Sequence, residues 1–129
     1  MSTLKLGNIG SLVTYDSSIQ KMVSHKDIEI VIGNDKIIDI GCGKSFLADN
    51  LLELNYTNIS LVDISSNALK EVKQRLQNKS LNFIETDILN FNSNEKYDIW
   101  HDRAVFHFIT GSEGIKKYIS LCNEYINKI

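Results

Sequence analysis

KIIDIGCGKS, residues 36–45, is an apolar run that stops at two closely spaced glycines. Its first half is typical of a central strand that is buried on both faces. Gly41 and Gly43 allow a sharp turn and let the backbone approach a ligand closely. Apolar residues at helical spacing follow, and Ser45 is placed to cap that helix: Leu47, Ala48, Leu51, Leu52 and Leu54. The stretch therefore predicts a strand, a glycine turn and a helix, which is the first unit of a doubly wound fold.

The same alternation of strands and helices continues along the chain. Further strands are predicted at Asn58–Ile64, Leu81–Ile88 and Lys96–Trp100. Two more helices are predicted from apolar stripes at intervals of three and four, one with Ala68, Leu69, Val72 and Leu76, and one with Ile115, Tyr118, Ile119, Cys122, Tyr125 and Ile126. We therefore expect an α/β fold: a Rossmann-like, doubly wound parallel sheet in the order 3-2-1-4 with helices on both faces.

The residues before this alternating region have a different pattern. Residues 1–16 are polar and contain glycine, and we expect an irregular segment there. A first helix is expected next, with Ser17 or Ser18 as its cap, Ile19, Met22 and Val23 on its apolar side, and Gly33 at its end. Because the 129 residues contain no linker, repeat or low-complexity stretch, we expect a single domain over residues 1–129.

The composition argues against several classes of function. The chain carries 14 Lys and Arg against 16 Asp and Glu, so it lacks the positive charge expected of a protein that binds nucleic acid or an anionic membrane. No apolar run is long enough to span a bilayer, and the first residues show no signal-peptide pattern. We therefore expect a cytoplasmic protein in which Cys42 and Cys122 are free thiols.

Acidic residues stand where the second and third predicted strands end. Asp63 lies twenty residues after Gly43, where this fold places a carboxylate that accepts the hydroxyls of a ribose. The alternative is that Asp63 only helps to cap the following helix. Asp87 and Ile88 suit an adenine, because a carboxylate can accept from the exocyclic amine while an aliphatic side chain packs on the ring. On its own, Asp87 would be an ordinary turn former.

These residues, together with YDIWHDRAVFHF at residues 97–108, resemble the class I S-adenosylmethionine-dependent methyltransferase family, especially its small bacterial-type members with a WHDRAVFHF segment. The resemblance runs from about Asp16 to Ile129 and implies S-adenosylmethionine as the cofactor. Carried over by position, it implies that Asp39, Gly41 and Gly43 contact the methionyl portion and that Asp63 contacts the ribose. It also implies that Asp87 and Ile88 contact the adenine. The residues implied near the reactive end are Trp100, His101 and Asp102. Cys42 and Ile64 are counted among the cofactor contacts as neighbours of these residues.

Methyl transfer from a sulfonium needs mainly alignment of the reacting atoms and exclusion of water, so few catalytic side chains are expected. His101 is the candidate general base for a hydroxyl or amine acceptor. Alternatively, His101 only holds the following loop through hydrogen bonds beside Asp102 and Arg103. His107 is expected to be a packed or loop-fixing histidine and not a ligand. A metal site is not expected, because the Cys and His residues lack the close spacing of zinc ligands: Cys42, His101, His107 and Cys122.

The resembled family usually has seven strands, of which this sequence supplies four, so we expect a sheet that is incomplete on its C-terminal side. An open edge beside the fourth strand would allow self-association.

The predicted function is an S-adenosylmethionine-dependent methyltransferase with an unidentified small-molecule or protein acceptor. The alternative is a non-catalytic remnant that binds S-adenosylmethionine, or a subunit whose acceptor site is completed by a partner. A nicotinamide dinucleotide is disfavoured, because Phe46 stands where that motif needs a small residue.

Overall fold

The computed structural model describes residues 4–9, 12–16, 21–25, 28–32, 36–77 and 80–127, with side chains from residue 36 onward. The sequence predicted a single domain, whereas the chain divides into two compact units, residues 1–34 and residues 35–129. They are called here the N-terminal unit and the C-terminal unit. Within the described ranges, no helix has the length and apolar character needed to cross a membrane.

The N-terminal unit contains two antiparallel strand pairs. Strand β1 (Leu4–Ile9) pairs with β4 (Ile28–Ile32), and β2 (Leu12–Asp16) pairs with β3 (Lys21–His25). The irregular segment expected at residues 1–16 and the helix expected through Met22 and Val23 were therefore wrong. The other residues of that predicted helix lie outside the described ones: Ser17, Ser18, Ile19 and Gly33. Three apolar residues at helical spacing cover only one turn, and so short a pattern fits a strand equally well.

The C-terminal unit contains a four-stranded parallel sheet. Its strands are β5 (Ile37–Ile40), β6 (Ile59–Asp63), β7 (Asn82–Glu85) and β8 (Ile99–Asp102), in the order β7-β6-β5-β8. The predicted order 3-2-1-4 is therefore confirmed. Strand β5 is buried at all four positions, as expected of a central strand that is covered on both faces.

Four α-helices lie in the described part of this unit: α1 (Leu47–Glu53), α2 (Ser66–Leu76), α3 (Val105–Phe108) and α4 (Ser112–Tyr125). The cap predicted at Ser45 is displaced by one residue, because the N-cap residue of α1 is Phe46, which makes no side-chain cap hydrogen bond; the N-cap residue of α2 is Ser65. Ser45 Oγ accepts the N–H of Leu47 at 3.1 Å, and Ser65 Oγ accepts the N–H of Ala68 at 3.3 Å. Sequence spacing thus located three of these helices, and the short α3 was not predicted.

The main hydrophobic core lies between the sheet and α4. It contains Ile38 and Ile40 of β5 and Val62 of β6, together with Ile88, Phe91, Tyr97, Tyr118, Leu121 and Tyr125. The Phe91 ring makes edge-on contacts with the rings of Trp100 and Tyr125, at centroid distances of 5.9 and 5.1 Å. Because side chains alternate along a strand, Asp39 lies on the opposite face of β5 from this core.

Two strand boundaries differ from the prediction, and both differences move site residues. Strand β7 ends at Glu85 rather than at Ile88, because Asp87 Oδ1 accepts the N–H of Leu89 at 2.9 Å and begins a 3₁₀ turn over Ile88–Asn90. Strand β8 spans residues 99–102 rather than 96–100, so His101 and Asp102 belong to the strand itself. Strand ends depend on pairing with a neighbouring strand, which local sequence does not encode.

The chain returns to the sheet after α4. The N–H of Tyr97 donates to the carbonyl of Tyr125 at 2.7 Å, and the N–H of Asn127 donates to the carbonyl of Tyr97 at 2.8 Å. These bonds form a parallel bridge between Tyr97 and Ile126. In the described sheet β8 itself pairs only with β5, so it is an edge strand.

Candidate functional site

The glycine turn between β5 and α1 has a left-handed backbone. The φ angle is 65° at Gly41 and 52° at Gly43, a region that residues with a side chain disfavour. A Cβ atom at Gly41 would lie 2.1 Å from Val105 Cγ2, so glycine lets α3 pack against the turn. A Cβ atom at Gly43 would lie 4.0 Å from its nearest neighbours. The space beside the turn is therefore at Gly43, not at Gly41.

Asp63, at the end of β6, holds the glycine turn. Its Oδ2 atom accepts the N–H of Gly43 at 2.8 Å, and its Oδ1 atom accepts the N–H of Ser65 at 2.8 Å. The bond to Ser65 confirms the interpretation that Asp63 organises the start of α2. Each oxygen keeps a further lone pair, so the half-buried carboxylate can also accept ligand hydroxyls. Ile64, the next residue, is 71% exposed.

Asp39 and His101 are paired residues of β5 and β8. His101 Nδ1 lies 2.8 Å from Asp39 Oδ1. Because a carboxylate only accepts hydrogen bonds, this contact requires the proton on Nδ1 and leaves Nε2 of a neutral imidazole as the unprotonated nitrogen. The His101 side chain is 40% exposed, whereas Asp39 is 3% exposed. The structure thus pairs a half-exposed imidazole with a buried carboxylate.

The second oxygen of Asp39 is the unusual atom of this site. Among the described residues, no donor bonds to the buried Oδ2 atom of Asp39. A buried carboxylate oxygen without a hydrogen bond is unfavourable, so the geometry fits a ligand that brings an N–H donor. This observation, together with the space at Gly43, agrees with the methionyl portion of S-adenosylmethionine, which carries an ammonium group.

Asp102 holds the start of α3 rather than standing free for a ligand. Its Oδ1 atom accepts the N–H of Val105 at 2.7 Å, and its Oδ2 atom accepts the N–H of Phe106 at 3.0 Å and the hydroxyl of Tyr118. Burial, reinforced by the bond to Asp102, raises the pKa of Tyr118. The predicted cofactor contact from Asp102 thus becomes a support for the helix that packs against Gly41.

Trp100 was predicted to end the strand beside the crevice, and that placement is wrong. Strand β8 continues to Asp102, and the Trp100 ring packs edge-on against Tyr118 at a centroid distance of 6.1 Å. The indole N–H donates to the Tyr118 hydroxyl at 3.0 Å. Trp100 is therefore a residue of the aromatic core.

The predicted adenine pair, Asp87 and Ile88, is separated by the structure. Ile88 is 6% exposed and belongs to the hydrophobic core, so its predicted contact with a ligand is not supported. Asp87 is exposed and caps the 3₁₀ turn, which confirms the turn-former interpretation. It still lies near Asp63, because the N–H of Thr86 donates to the carbonyl of Asp63 at 3.1 Å.

Cys42 has its polar groups engaged inside the protein. Its N–H donates to the carbonyl of Val62 at 3.0 Å, and its carbonyl accepts the N–H of Ser45 at 3.0 Å. Burial, with smaller contributions from Asp39 and Asp63, raises the pKa of the Cys42 thiol to about 12. Cys42 therefore shapes the turn, and the structure does not support a cofactor contact from its thiol.

Arg75 of α2 is a residue that sequence reasoning missed. Its guanidinium lies 4.4 Å from the centre of the Phe46 ring and donates to the carbonyl of Ser45 at 2.8 Å. Arg75 lies thirty residues from Ser45, and the helical pattern of α2 shows only that Arg75 is a polar position. No local signal pointed to this contact.

In the described part of the chain, no group of three or more His, Cys, Asp or Glu is arranged to hold a metal ion.

Comparisons with known proteins agree with this geometry. The family model described as "Methyltransferase domain" matches residues 33–129. Malonyl-[acyl-carrier protein] O-methyltransferase 1 of Ilyobacter polytropus is 30% identical over 124 residues, which is 90% of this chain and 46% of that protein. Malonyl-[acyl-carrier protein] O-methyltransferase 2 of the same organism is 35% identical over 81 residues, 61% of this chain and 31% of that protein. The chain thus spans less than half the length of these relatives.

Solved structures are similar in fold. An S-adenosylmethionine-dependent methyltransferase from Clostridium acetobutylicum has a TM-score of 0.66 at 26% identity, covering 75% of this chain and 40% of that one. An N-methyltransferase from Bradyrhizobium japonicum, in complex with S-adenosyl-L-homocysteine, has a TM-score of 0.64 at 19% identity, covering 74% of this chain and 49% of that one. The family match, the sheet order and the glycine turn together show that this chain belongs to the class I S-adenosylmethionine-dependent methyltransferase family.

Proposed function

We propose that the C-terminal unit binds S-adenosylmethionine at the carboxyl ends of β5, β6 and β7, and that the protein methylates an acceptor oxygen. The observation that carries the proposal is the buried Asp39 carboxylate, whose Oδ2 atom has no donor among the described residues although it lies beside a glycine turn with space at Gly43. An ammonium group is the donor that such a carboxylate binds most strongly.

The proposed contacts differ from those expected from sequence. Asp39 and Gly43 would hold the methionyl portion, Asp63 the ribose hydroxyls, and exposed Ile64 and Asp87 the adenine. The remaining predicted residues act by supporting the turn and its neighbouring helix, or belong to the core: Gly41, Cys42, Ile88, Trp100 and Asp102. The cofactor supplies an already activated methyl group, so this chain's residues have to bind, orient and exclude water.

His101 is proposed to take the proton from an acceptor hydroxyl. The hydrogen bond to Asp39 keeps the proton on Nδ1, so Nε2 of the neutral ring is free to accept one. Asp39 also stabilises the imidazolium that forms when Nε2 takes the proton. This pairing supports a catalytic role over the alternative in which His101 only holds the following loop, because the bond runs to β5 and not to the loop.

The names of the relatives suggest an oxygen acceptor. Three are malonyl-[acyl-carrier protein] O-methyltransferases, and a further one, 26% identical over 117 residues, is a ubiquinone biosynthesis O-methyltransferase of Dictyostelium discoideum. A malonyl thioester offers a carboxylate, which needs no base at neutral pH, whereas a phenol has to lose a proton. We propose a malonyl-type carboxylate as the acceptor class. The base role of His101 then applies only to a hydroxyl acceptor, since a carboxylate has no proton to give and Nε2 of the neutral ring has none to donate.

Calorimetric titration with S-adenosylhomocysteine tests the binding proposal. Asp63→Ala should weaken binding by about 1.5–3 kcal/mol, because charge-assisted bonds to the ribose are lost. Glu124→Gln, an exposed charge change on α4, should bind as the unaltered protein does. Equal affinity in Asp63→Ala and Glu124→Gln would remove Asp63 from the site.

Methyl transfer to a malonyl thioester and to a phenol tests the acceptor. His101→Gln should reduce methylation of the phenol by about 10²-fold or more, and that of the carboxylate by much less. Transfer to neither acceptor by a protein that binds S-adenosylhomocysteine would favour the non-catalytic alternative.

Two further expectations from the sequence remain proposals. Self-association is supported by the edge position of β8, whose backbone groups pair on one side with β5. Sedimentation over a range of concentrations tests it, and a constant monomer would contradict it. A cytoplasmic location stays a prediction from composition, and fractionation of cells that produce the protein tests it.

A further inference from the structure

Arg75 contacts the glycine turn from the neighbouring helix. Its Nε and Nη2 atoms donate to the two carboxylate oxygens of Asp49 in α1, at 2.9 and 2.7 Å. Nη2 also donates to the carbonyl of Ser45 at 2.8 Å, and Nη1 lies 3.5 Å from the carbonyl of Lys44. One guanidinium of α2 therefore contacts both the end of the glycine turn and the first helix.

We propose that Arg75 is a positioning residue for cofactor binding: it fixes the outer half of the glycine turn in the shape that receives the ligand. The inference rests on the proposed function, because it concerns the same site. Arg75 would act through the turn and would not itself touch the cofactor.

The turn needs such an external contact because of its glycines. Gly41 and Gly43 have broad conformational freedom, so the sequence alone does not hold the turn in one shape. The inner half is fixed by bonds from the N–H groups of Cys42 and Gly43, to the Val62 carbonyl and to Asp63. On the outer half, the carbonyls of Lys44 and Ser45 face the guanidinium. Removal of Arg75 would take away the contacts to these two carbonyls and leave the outer half held by the bond from the Ser45 N–H to the Cys42 carbonyl and by exposed side chains.

The chemistry of the contact requires arginine. A planar guanidinium can bind a carboxylate through two bonds, donate to a carbonyl and stack on an aromatic ring at the same time, which a lysine ammonium cannot do. An ion pair between the turn and α2, Lys44 with Glu71 at 2.7 Å, is more exposed, at 63% and 53% of the side chains. The Arg75 and Asp49 side chains are 28% and 23% exposed, so solvent screens this pair less.

The decisive experiment compares Arg75→Gln with Lys70→Gln, a matched charge change at an exposed position of the same helix. Amide hydrogen exchange in the ligand-free protein reports the shape of the turn directly. We expect exchange at Ser45, whose N–H donates to the Cys42 carbonyl, to be about tenfold faster in Arg75→Gln, with exchange at Gly43 and in β6 unchanged. If the turn of this variant has the shape that binds the ligand about a tenth of the time, the Kd for S-adenosylhomocysteine should rise about tenfold. Lys70→Gln should change neither quantity.

Conservative variants separate positioning from general stability. Arg75→Lys should show nearly the same faster exchange and weaker binding as Arg75→Gln, because lysine does not replace the bonds of the guanidinium. Asp49→Asn should show smaller changes of the same kind, because the bond from Arg75 to the Ser45 carbonyl remains. Should Arg75→Gln fail to fold, these two variants carry the test. Unchanged exchange at Ser45 in the variants would overturn the inference. A weaker Kd without faster exchange would also overturn it, since Arg75 would then contact the ligand.

Failure of the proposed function gives a different result. If the unaltered protein binds no S-adenosylhomocysteine, the proposed site is wrong, whereas the exchange measurement on the free protein still decides whether Arg75 holds the turn.

Discussion

At the scale of single residues, the two positions of the turn require glycine for different physical reasons. Gly41→Ala combines a φ angle of 65° with a Cβ atom 2.1 Å from Val105 Cγ2, whereas Gly43→Ala has a φ angle of 52° and ordinary van der Waals contacts at 4.0 Å. We expect Gly43→Ala to lower the free energy of unfolding by about 1–2 kcal/mol, the cost of a left-handed residue. Gly41→Ala should lower it by about 1–3 kcal/mol more, because the contact adds overpacking.

Urea unfolding of the two variants measures this difference. Adding Val105→Ala to Gly41→Ala should recover part of the loss, since it removes the contacting methyl group. Equal losses at the two glycines would contradict the packing of α3 against the turn.

The Asp39–His101 pair gives a second prediction at this scale. The carboxylate selects the imidazole tautomer with the proton on Nδ1. Asp39→Asn supplies both an acceptor and a donor, so the other tautomer should become populated. Nitrogen-15 NMR of the imidazole distinguishes the two forms. The signals of His107, an exposed histidine beside Phe108, serve as the internal control. An unchanged His101 spectrum in Asp39→Asn would show that the carboxylate does not set the tautomer.

At the scale of secondary-structure elements, Tyr118 connects α4 with the start of α3. Its hydroxyl donates to Asp102 and accepts from the Trp100 indole N–H. Tyr118→Phe leaves a part-buried indole N–H without that acceptor and removes the hydroxyl that donates to Asp102, so it should lower the free energy of unfolding by about 1–3 kcal/mol. Tyr125→Phe is the matched control. The Tyr125 hydroxyl bonds to the exposed Asn92 at 3.0 Å, and water can replace that partner.

Circular dichroism during urea unfolding measures both tyrosine variants. A loss in Tyr125→Phe as large as that in Tyr118→Phe would mean that the bonds to Asp102 and Trp100 contribute little to stability.

Elements with a long, regular pattern were predictable from sequence. The β5 run, the α2 stripe and the α4 stripe each extend over enough residues to identify the period, and the sheet order then followed from the fold class. The N-terminal unit was not predictable in this way, because its apolar groups are too short to separate a helix from a strand. Its prediction was wrong for that reason.

The site was predictable only where a strand end coincided with a distinctive residue. Asp63 bonds to Gly43, and Asp39 bonds to His101 on the neighbouring strand, while their contacts with the cofactor stay a proposal. Trp100 and Ile88 were misplaced because the boundaries of β7 and β8 depend on pairing and on the Asp87 turn. Contacts between residues far apart in sequence, such as Asp39 with His101 and Arg75 with Ser45, required the structure.

At the scale of the whole molecule, the buried thiols predict how stability depends on pH. Burial is the main cause that raises the pKa of Cys42 and of Cys122 to about 12. In the unfolded chain a thiol ionises near pH 8.5. Between these values the folded state keeps protons that the unfolded state has lost, so the free energy of unfolding falls as the pH rises. Tyr118, whose pKa burial also raises, contributes in the same direction.

Urea unfolding from about pH 7 to about pH 11, a range on both sides of the ordinary thiol pKa, checks this dependence. The variant Cys42→Ala/Cys122→Ala should be less stable at neutral pH but should lose stability more slowly as the pH rises. A slope equal to that of the unaltered protein would show that the thiols are not responsible.

The position of Trp100 has a practical consequence for optical measurements. It is the one tryptophan in the sequence, and it lies in the C-terminal unit with its indole N–H bonded to Tyr118. Intrinsic indole fluorescence therefore comes from a residue of the C-terminal unit and reports the unfolding of that unit without any attached dye. Because Tyr118 bonds to Asp102, and Asp102 holds the helix that packs on Gly41, the same emission is also placed to register a rearrangement of the glycine turn.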